Sequence, residues 1–202
     1  MAGPAGRCLT GSVSACPILT TERLTMRPFR PDDLDPLFAV MTTDQVRAAF
    51  HVPDAYSRAD AWAVLTSFTG LWELKGVGQW ALEERGSGRF VGRAGLYWRT
   101  EPEWPGVEVG WLLDPTVWGR GYATEAGARA VEFGFHDVGE RTLYSVILPE
   151  NARSEAVARR LGFAPGEERV LPHFPSAAHR IWRLDRTGWA GPQDAGPELS
   201  GG

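Results

Sequence analysis

Apolar and polar residues change their period twice along this chain. Arg23-Leu24-Thr25-Met26-Arg27 alternates strictly, which predicts a half-buried strand. Leu34, Leu37, Phe38 and Met41 then fall at i, i+3, i+4 and i+7, one face of a helix, with Asp32 and Asp33 at its positive end. A second helix is expected from about Ser57. Ser57 and Asp60 have the spacing of a capping box there, and Ala61, Leu65, Phe68 and Trp72 make one stripe.

From residue 79 the period becomes two. Strands are expected over 79–84, 90–98 and 107–113, joined by short loops and therefore antiparallel. A glycine-rich turn leads into a helix over about 121–138, whose Ala123, Gly127, Ala130, Val131 and Gly134 suit close packing on a sheet. The apolar run 142–148 should then lie parallel to 107–113, because a helix separates them. Asn151 can N-cap a helix that ends at Leu161-Gly162, and two last strands are expected at 163–170 and 178–184. The resulting fold class is α/β (α+β): a mixed, mostly antiparallel sheet of seven strands flanked by about four helices.

Composition narrows what such a sheet serves. The chain has 202 residues, a formal charge of −4 and only one Lys, Lys75, among 21 basic side chains. An acidic balance argues against a nucleic-acid binder, which usually shows a basic face. No apolar run approaches the ~18 residues of a membrane span. Residues 1–17 and 188–202 are rich in Gly, Ala, Pro and Ser, and read as a disordered leader and tail around one domain at 18–187. Cys8 and Cys16 both sit in that leader, so the body needs no oxidising compartment and a cytoplasmic location is expected. A lipoprotein-like box at Val13–Cys16 lacks an adequate apolar stretch before it.

The most informative segment runs from Val107 to Glu125. A strand enters a loop carrying Trp118-Gly119-Arg120-Gly121, and a helix begins at Tyr122-Ala123-Thr124. Glycines let backbone N–H groups approach a ligand, and a helix start adds unpaired donors, a setting suited to a pyrophosphate. A dinucleotide fingerprint would need glycine where Thr124 stands, and a Walker loop would need Gly-Lys-Ser/Thr. A ligand-free tight turn is the remaining reading of the loop alone.

Trp118 to Ala123, together with Asn151-Ala-Arg-Ser154, Arg160-Leu-Gly-Phe163 and the opening Thr21 to Pro28, resembles the GNAT acetyltransferases, in particular their RimJ/RimL-like branch. The resemblance covers about 18–185 and implies an acetyl-CoA-dependent N-acetyltransferase without a metal. By that resemblance Trp111, Leu112 and Leu113 pair with the pantetheine arm, and the segment from Gly119 to Thr124 holds the pyrophosphate beside Trp118. Arg120 adds charge there or is a solvated loop arginine, and Asn151 binds the pantetheine, caps a helix, or both. Glu108 is the candidate base or a surface carboxylate. Many relatives use a Tyr as proton donor where this chain has Ala158, so Ser154 is the candidate here, with Tyr144 and Tyr122 as further hydroxyls. The histidines show no metal-binding spacing; His51 touches substrate or is a solvated loop residue. The implied acceptor is a primary amine. The α-amine of a protein N-terminus comes first, a small amine (amino acid, polyamine, aminoglycoside) second, and a non-catalytic acyl-CoA-binding module is the alternative of another class. A homodimer is compatible with the family.

Overall fold

The computed structural model describes residues 16–172, 174–189 and 191. Eight strands form one sheet in the spatial order β1-β2-β3-β4-β5-β6-β8-β7. They are β1 (Leu19–Thr20), β2 (Leu24–Arg27), β3 (Gln79–Glu84), β4 (Phe90–Tyr97), β5 (Glu108–Leu113), β6 (Thr142–Ile147), β7 (Ala164–Val170) and β8 (Ala178–Asp185). Every neighbouring pair is antiparallel except β5 and β6, which run parallel across the connection made by α4 (Tyr122–His136).

The expected class stands, with one more strand and one more helix than the pattern predicted. The extra strand, β1, is a two-residue edge paired through Leu19↔Met26. The extra helix, α2 (Asp44–Phe50), buries only Val46, so it leaves no period to read. The other helices are α1 (Leu34–Met41), α3 (Arg58–Lys75) and α5 (Ala152–Arg160). The capping box of α3 forms as its spacing predicts, with Ser57 accepting from the Asp60 amide and Asp60 accepting from the Ser57 amide. Gly162 adopts φ +88°, just past the end of α5.

Strand alternation divides the core in two. Val109, Trp111 and Leu113 of β5 pack with Ala126 and Ala130 of α4 on one face. Gly127 lies against Leu161, where a Cβ would come within 2.7 Å of a leucine methyl, so a larger residue would push the helix away. Leu112, Ala81 and Phe90 face the other way, under Leu37 and Val40 of α1 and Leu65 of α3. Arg27, only 5% exposed, fixes that second layer. It makes a two-pronged contact with Asp33 at 2.8 Å ahead of α1 and donates to Glu83 of β3 at 2.7 Å. A guanidinium in that position is desolvated, and both carboxylates are needed to compensate it.

Residues flanking 18–187 also touch the body of the fold. Pro17 accepts a hydrogen bond from the Trp80 indole at 2.8 Å, and the Trp189 ring lies tilted against Phe135 with ring centres 5.6 Å apart. Cys16 is a free thiol that burial pushes up to about 12. The rest of the expected leader, Cys8 included, and of the tail lies outside the described residues.

Candidate active site

The two parallel strands meet at one point and then part. Glu108 and Tyr144 are the only register partners of β5 and β6, and the Tyr144 amide donates to the Val107 carbonyl at 3.0 Å. On its other side β5 is paired with β4 along its whole length, from Tyr97↔Glu108 to Gly92↔Leu113. The edge of Trp111, Leu112 and Leu113 that faces β6 therefore has no strand partner. The Leu113 carbonyl is engaged otherwise, accepting from the Trp118 indole at 2.9 Å.

The glycine loop lies at the end of this opened edge. Gly119 and Gly121 have φ of +78° and +80°, a region L side chains rarely adopt, so the sequence needs glycine at both places. The first backbone bond of α4 runs from the Glu125 amide to the Gly121 carbonyl at 3.0 Å. Among the described residues, the amides of Gly119, Gly121, Tyr122, Ala123 and Thr124 have no acceptor. Five free amides beside a helix start suit an anionic diphosphate.

Side chains fix the loop from outside. Arg23 donates to the Arg120 carbonyl at 2.8 Å and to Glu125 at 2.7 Å, and Glu125 also accepts from Thr21. Tyr122 is buried and donates to Glu84 at 2.6 Å, which holds that carboxyl below its ordinary range. Arg120 turns to the same Glu84 at 3.2 Å, although half its side chain is exposed. Arg153 of α5 lies over the Trp118 ring, 4.9 Å from its centre.

On the opposite sheet face, Glu108 stands where the strands part. Burial pushes its carboxyl up to about 7, against the opposing pull of Arg99, Arg93 and a hydrogen bond from the Val146 amide of β6. A carboxyl titrating near neutrality can take a proton from an amine at working pH. Its neighbour Gly110 leaves space: a Cβ there would lie 2.9 Å from Gln79 Nε2 and 3.7 Å from Glu108 Oε1. Arg93 donates to Gln79 Oε1 and lies over the Phe68 ring of α3. Arg99 sits among Tyr97, Trp104 and Phe174, with Glu101 at 3.8 Å. A shallow cavity of about 300 Å³ opens beyond Tyr144, bordered by Pro105, Gly166, Arg169 and Arg183.

The start of α5 closes the other side of the gap. Asn151 accepts from the Ser154 amide at 3.1 Å and donates to the Ala49 carbonyl of α2 at 3.1 Å, so both ends of its side chain are engaged. Beside it His51, in the left-handed conformation at φ +49°, meets Glu150 at 3.0 Å. Ser154 is 9% exposed, and no contact joins it to Glu108. Ala158 is fully buried in the core cluster. Tyr122 is committed to Glu84, whereas Tyr144 is the register neighbour of Glu108.

The profile of the family described as "Acetyltransferase (GNAT) domain" matches residues 23–164. The chain belongs to the GNAT acetyltransferases. It is 26% identical over 158 residues to the uncharacterized N-acetyltransferase YoaA of Bacillus subtilis (strain 168), covering 78% of this chain and 88% of that protein. The acetyltransferase of Agrobacterium tumefaciens str. C58 superposes with a TM-score of 0.74 at 29% identity, covering 85% and 95% of the two chains. Mycobacterium smegmatis RimJ, solved in complex with CoA-disulfide, superposes at 0.66 and 18% identity, over 81% and 82%.

This GNAT protein is thus an acyltransferase with N-acetyltransferase activity of the family type, and its fold implies acetyl-CoA as donor. Among the described residues no three His, Cys, Asp or Glu side chains gather as a metal site, and no helix is long and apolar enough to cross a membrane. Reading the sequence overlooked the Arg23–Glu125 brace and the Gln79, Arg93 and Arg99 group. Arg93 did carry a signal, since an arginine stands in the middle of the otherwise uncharged strand 90–97.

Proposed function

We propose that this enzyme transfers acetyl from acetyl-CoA to an α-amine, first of all that of a protein N-terminus, by direct attack in a ternary complex. The observation that carries the reading is Glu108: a carboxyl pushed up to about 7 at the point where β5 and β6 part. The resemblance of the Trp118–Ala123 and Asn151–Phe163 segments to the RimJ/RimL-like branch supports the acceptor.

The free amides from Gly119 to Thr124 bind the diphosphate, and the open edge at Trp111 and Leu112 pairs with the pantetheine arm. Asn151 can join through the second Nδ2–H or Oδ1 lone pair that its bonds to Ala49 and Ser154 leave over. The bound thioester supplies the acetyl group and a sulfur leaving group. Glu108 takes one proton from the acceptor ammonium, directly or through a water, and the freed amine attacks the thioester carbon. The new C–N bond replaces the C–S bond. The sulfur leaves with a proton donated by the Ser154 hydroxyl, with Tyr144 as the other hydroxyl at the gap. The second proton that the nitrogen sheds on becoming an amide returns to that oxygen through water, and Glu108 releases the first to solvent. An α-amine, with a pKa near ~8, needs far less help than a lysine amine near ~10.4, which favours the α-amine as acceptor.

The test is a panel of N-terminal peptides, amino acids and polyamines with acetyl-CoA and thiol detection from pH 5 to 9. Turnover that rises with pH through a midpoint near 7 supports the reading. Tight CoA binding without turnover of any amine overturns it and favours a binding module.

A further inference from the structure

The face of Glu108 holds more hydrogen-bond donors than its own groups can use. Arg93 is buried enough that its guanidinium is pulled down to about 10. Among the described residues no carboxylate lies within ion-pair distance of it, its Nε has no acceptor, and its only hydrogen bond is to the neutral Gln79 amide. The Tyr56 hydroxyl, close enough to feel the Arg93 charge, is also buried without a partner. Gln79 is 4% exposed and directs its Nε2 donor at the space that glycine leaves at 110. Gln79, Gly95 and Gly110 stand side by side across β3, β4 and β5, so the trough runs from these donors to Glu108.

Leaving a guanidinium desolvated without a carboxylate is costly, and the unpartnered Arg93 Nε and Tyr56 hydroxyl add to the penalty. An arriving anion would remove it. The reaction adds a second reason: once Glu108 accepts the amine's proton it no longer offsets the Arg93 charge. A polycationic acceptor would have to lie against Arg93 and Arg99, which disfavours polyamines and aminoglycosides.

We propose that the acceptor carries a carboxylate a few bonds from its reacting amine, received by Arg93, Tyr56 and Gln79 while Glu108 takes the proton. This rests on the acceptor entering on the Glu108 face. Two sources offer the same chemistry: the α-carboxylate of a free amino acid, or the side chain of an N-terminal Asp or Glu.

Matched pairs of acceptors test it on the full chain with saturating acetyl-CoA: alanine against alaninamide, and Glu-initiated tetrapeptides against their Gln-initiated counterparts. In at least one pair the carboxylate member should show kcat/KM at least tenfold higher. The pair that discriminates identifies the source. Intrinsic reactivity works against the first pair, since alaninamide has the more acidic ammonium. Arg93→Gln should collapse the preference to under twofold, with Arg93→Lys intermediate. Equal kcat/KM in both pairs, or spermidine as the best acceptor, overturns the proposal. Binding of the N-acetylated products to the CoA-loaded protein, followed by calorimetry, gives a readout without turnover. Tenfold tighter binding of the carboxylate product supports the proposal even when no amine reacts, in which case only the reading of Glu108 fails. Equal product affinity overturns it.

Discussion

The two sides of the β5–β6 gap are built from different materials. On the side proposed to bind the donor the groups are backbone: five free amides held by two left-handed glycines, with Arg23, Glu84 and Glu125 bracing the loop from outside. On the side proposed for the acceptor they are side chains, namely Glu108, Arg93, Gln79 and Tyr56, and burial shifts the ionisation of the three that titrate. Any residue that permits the conformation supplies a backbone amide, so the donor side tolerates wide change outside its glycines. A side-chain site can be redirected by one substitution. A common donor and a variable acceptor fit this division.

The contrast is most exposed at Glu108. Glu108→Gln keeps an oxygen for the Val146 amide but removes the base, and should lower kcat about 10²-fold or more at pH 7 while leaving acetyl-CoA affinity unchanged. Steady-state kinetics beside calorimetry check this. An undiminished kcat would move the base elsewhere, and a loss constant from pH 7 to 10 would leave Glu108 only a positioning role.

The same variant should respond to pH in its stability. The folded carboxyl titrates near 7 against 4.5 when exposed, so the unfolded chain gives up its proton first and native stability is lost as pH rises from 4.5 to 7. Glu108→Gln escapes that loss. Relative to wild type it should gain about 2 kcal/mol between pH 4 and pH 8, a figure reduced from full linkage because the site is only half-buried. Urea melts at the two pH values give the difference, and a pH-independent offset would remove the buried-acid description.

On the donor side, Gly121→Val forces a branched side chain into φ +80°, with Arg23 Nη2 only 3.3 Å from its Cβ. Acetyl-CoA affinity should fall at least tenfold, about 1.4 kcal/mol, in a variant whose circular dichroism shows it folded. Unchanged affinity would break the assignment of the loop. The smallest effect is expected at Arg120, whose charge is already spent on Glu84. Arg120→Ala should weaken acetyl-CoA less than about threefold, as exposed ion pairs contribute little. A tenfold loss would show that a side chain, and not only backbone, holds the phosphates.

The same division explains what could be read from residues alone. Gly119, Gly121 and Gly162 stand where the chain requires left-handed φ, so turn chemistry located the loop and the end of α5. Ser57 and Asp60 marked a helix start by their spacing, and period two located the strands. Three kinds of information were out of reach. α2 buries one side chain, and β1 is two residues long, too little for a period. Asn151 reaches Ala49 across about a hundred positions, and Arg23 meets Glu125 across a similar interval, so neither pairing leaves a local trace. The upward shift at Glu108 arises from burial, held back by Arg99 after β4, Arg93 of β4 and the Val146 amide of β6, a setting that only the assembled sheet creates.

The hydrogen bond from the Val146 amide to Glu108 makes this backbone proton an observer of the carboxyl. A charged acceptor draws an amide hydrogen more strongly than a neutral one. The nuclear magnetic resonance of one residue on β6 therefore follows the ionisation of a side chain on β5. In nitrogen-15-labelled protein its chemical shift traces the titration without substrate, cofactor analogue or mutation. The molecule thus carries a built-in indicator dye, positioned on the strand opposite the group it reads.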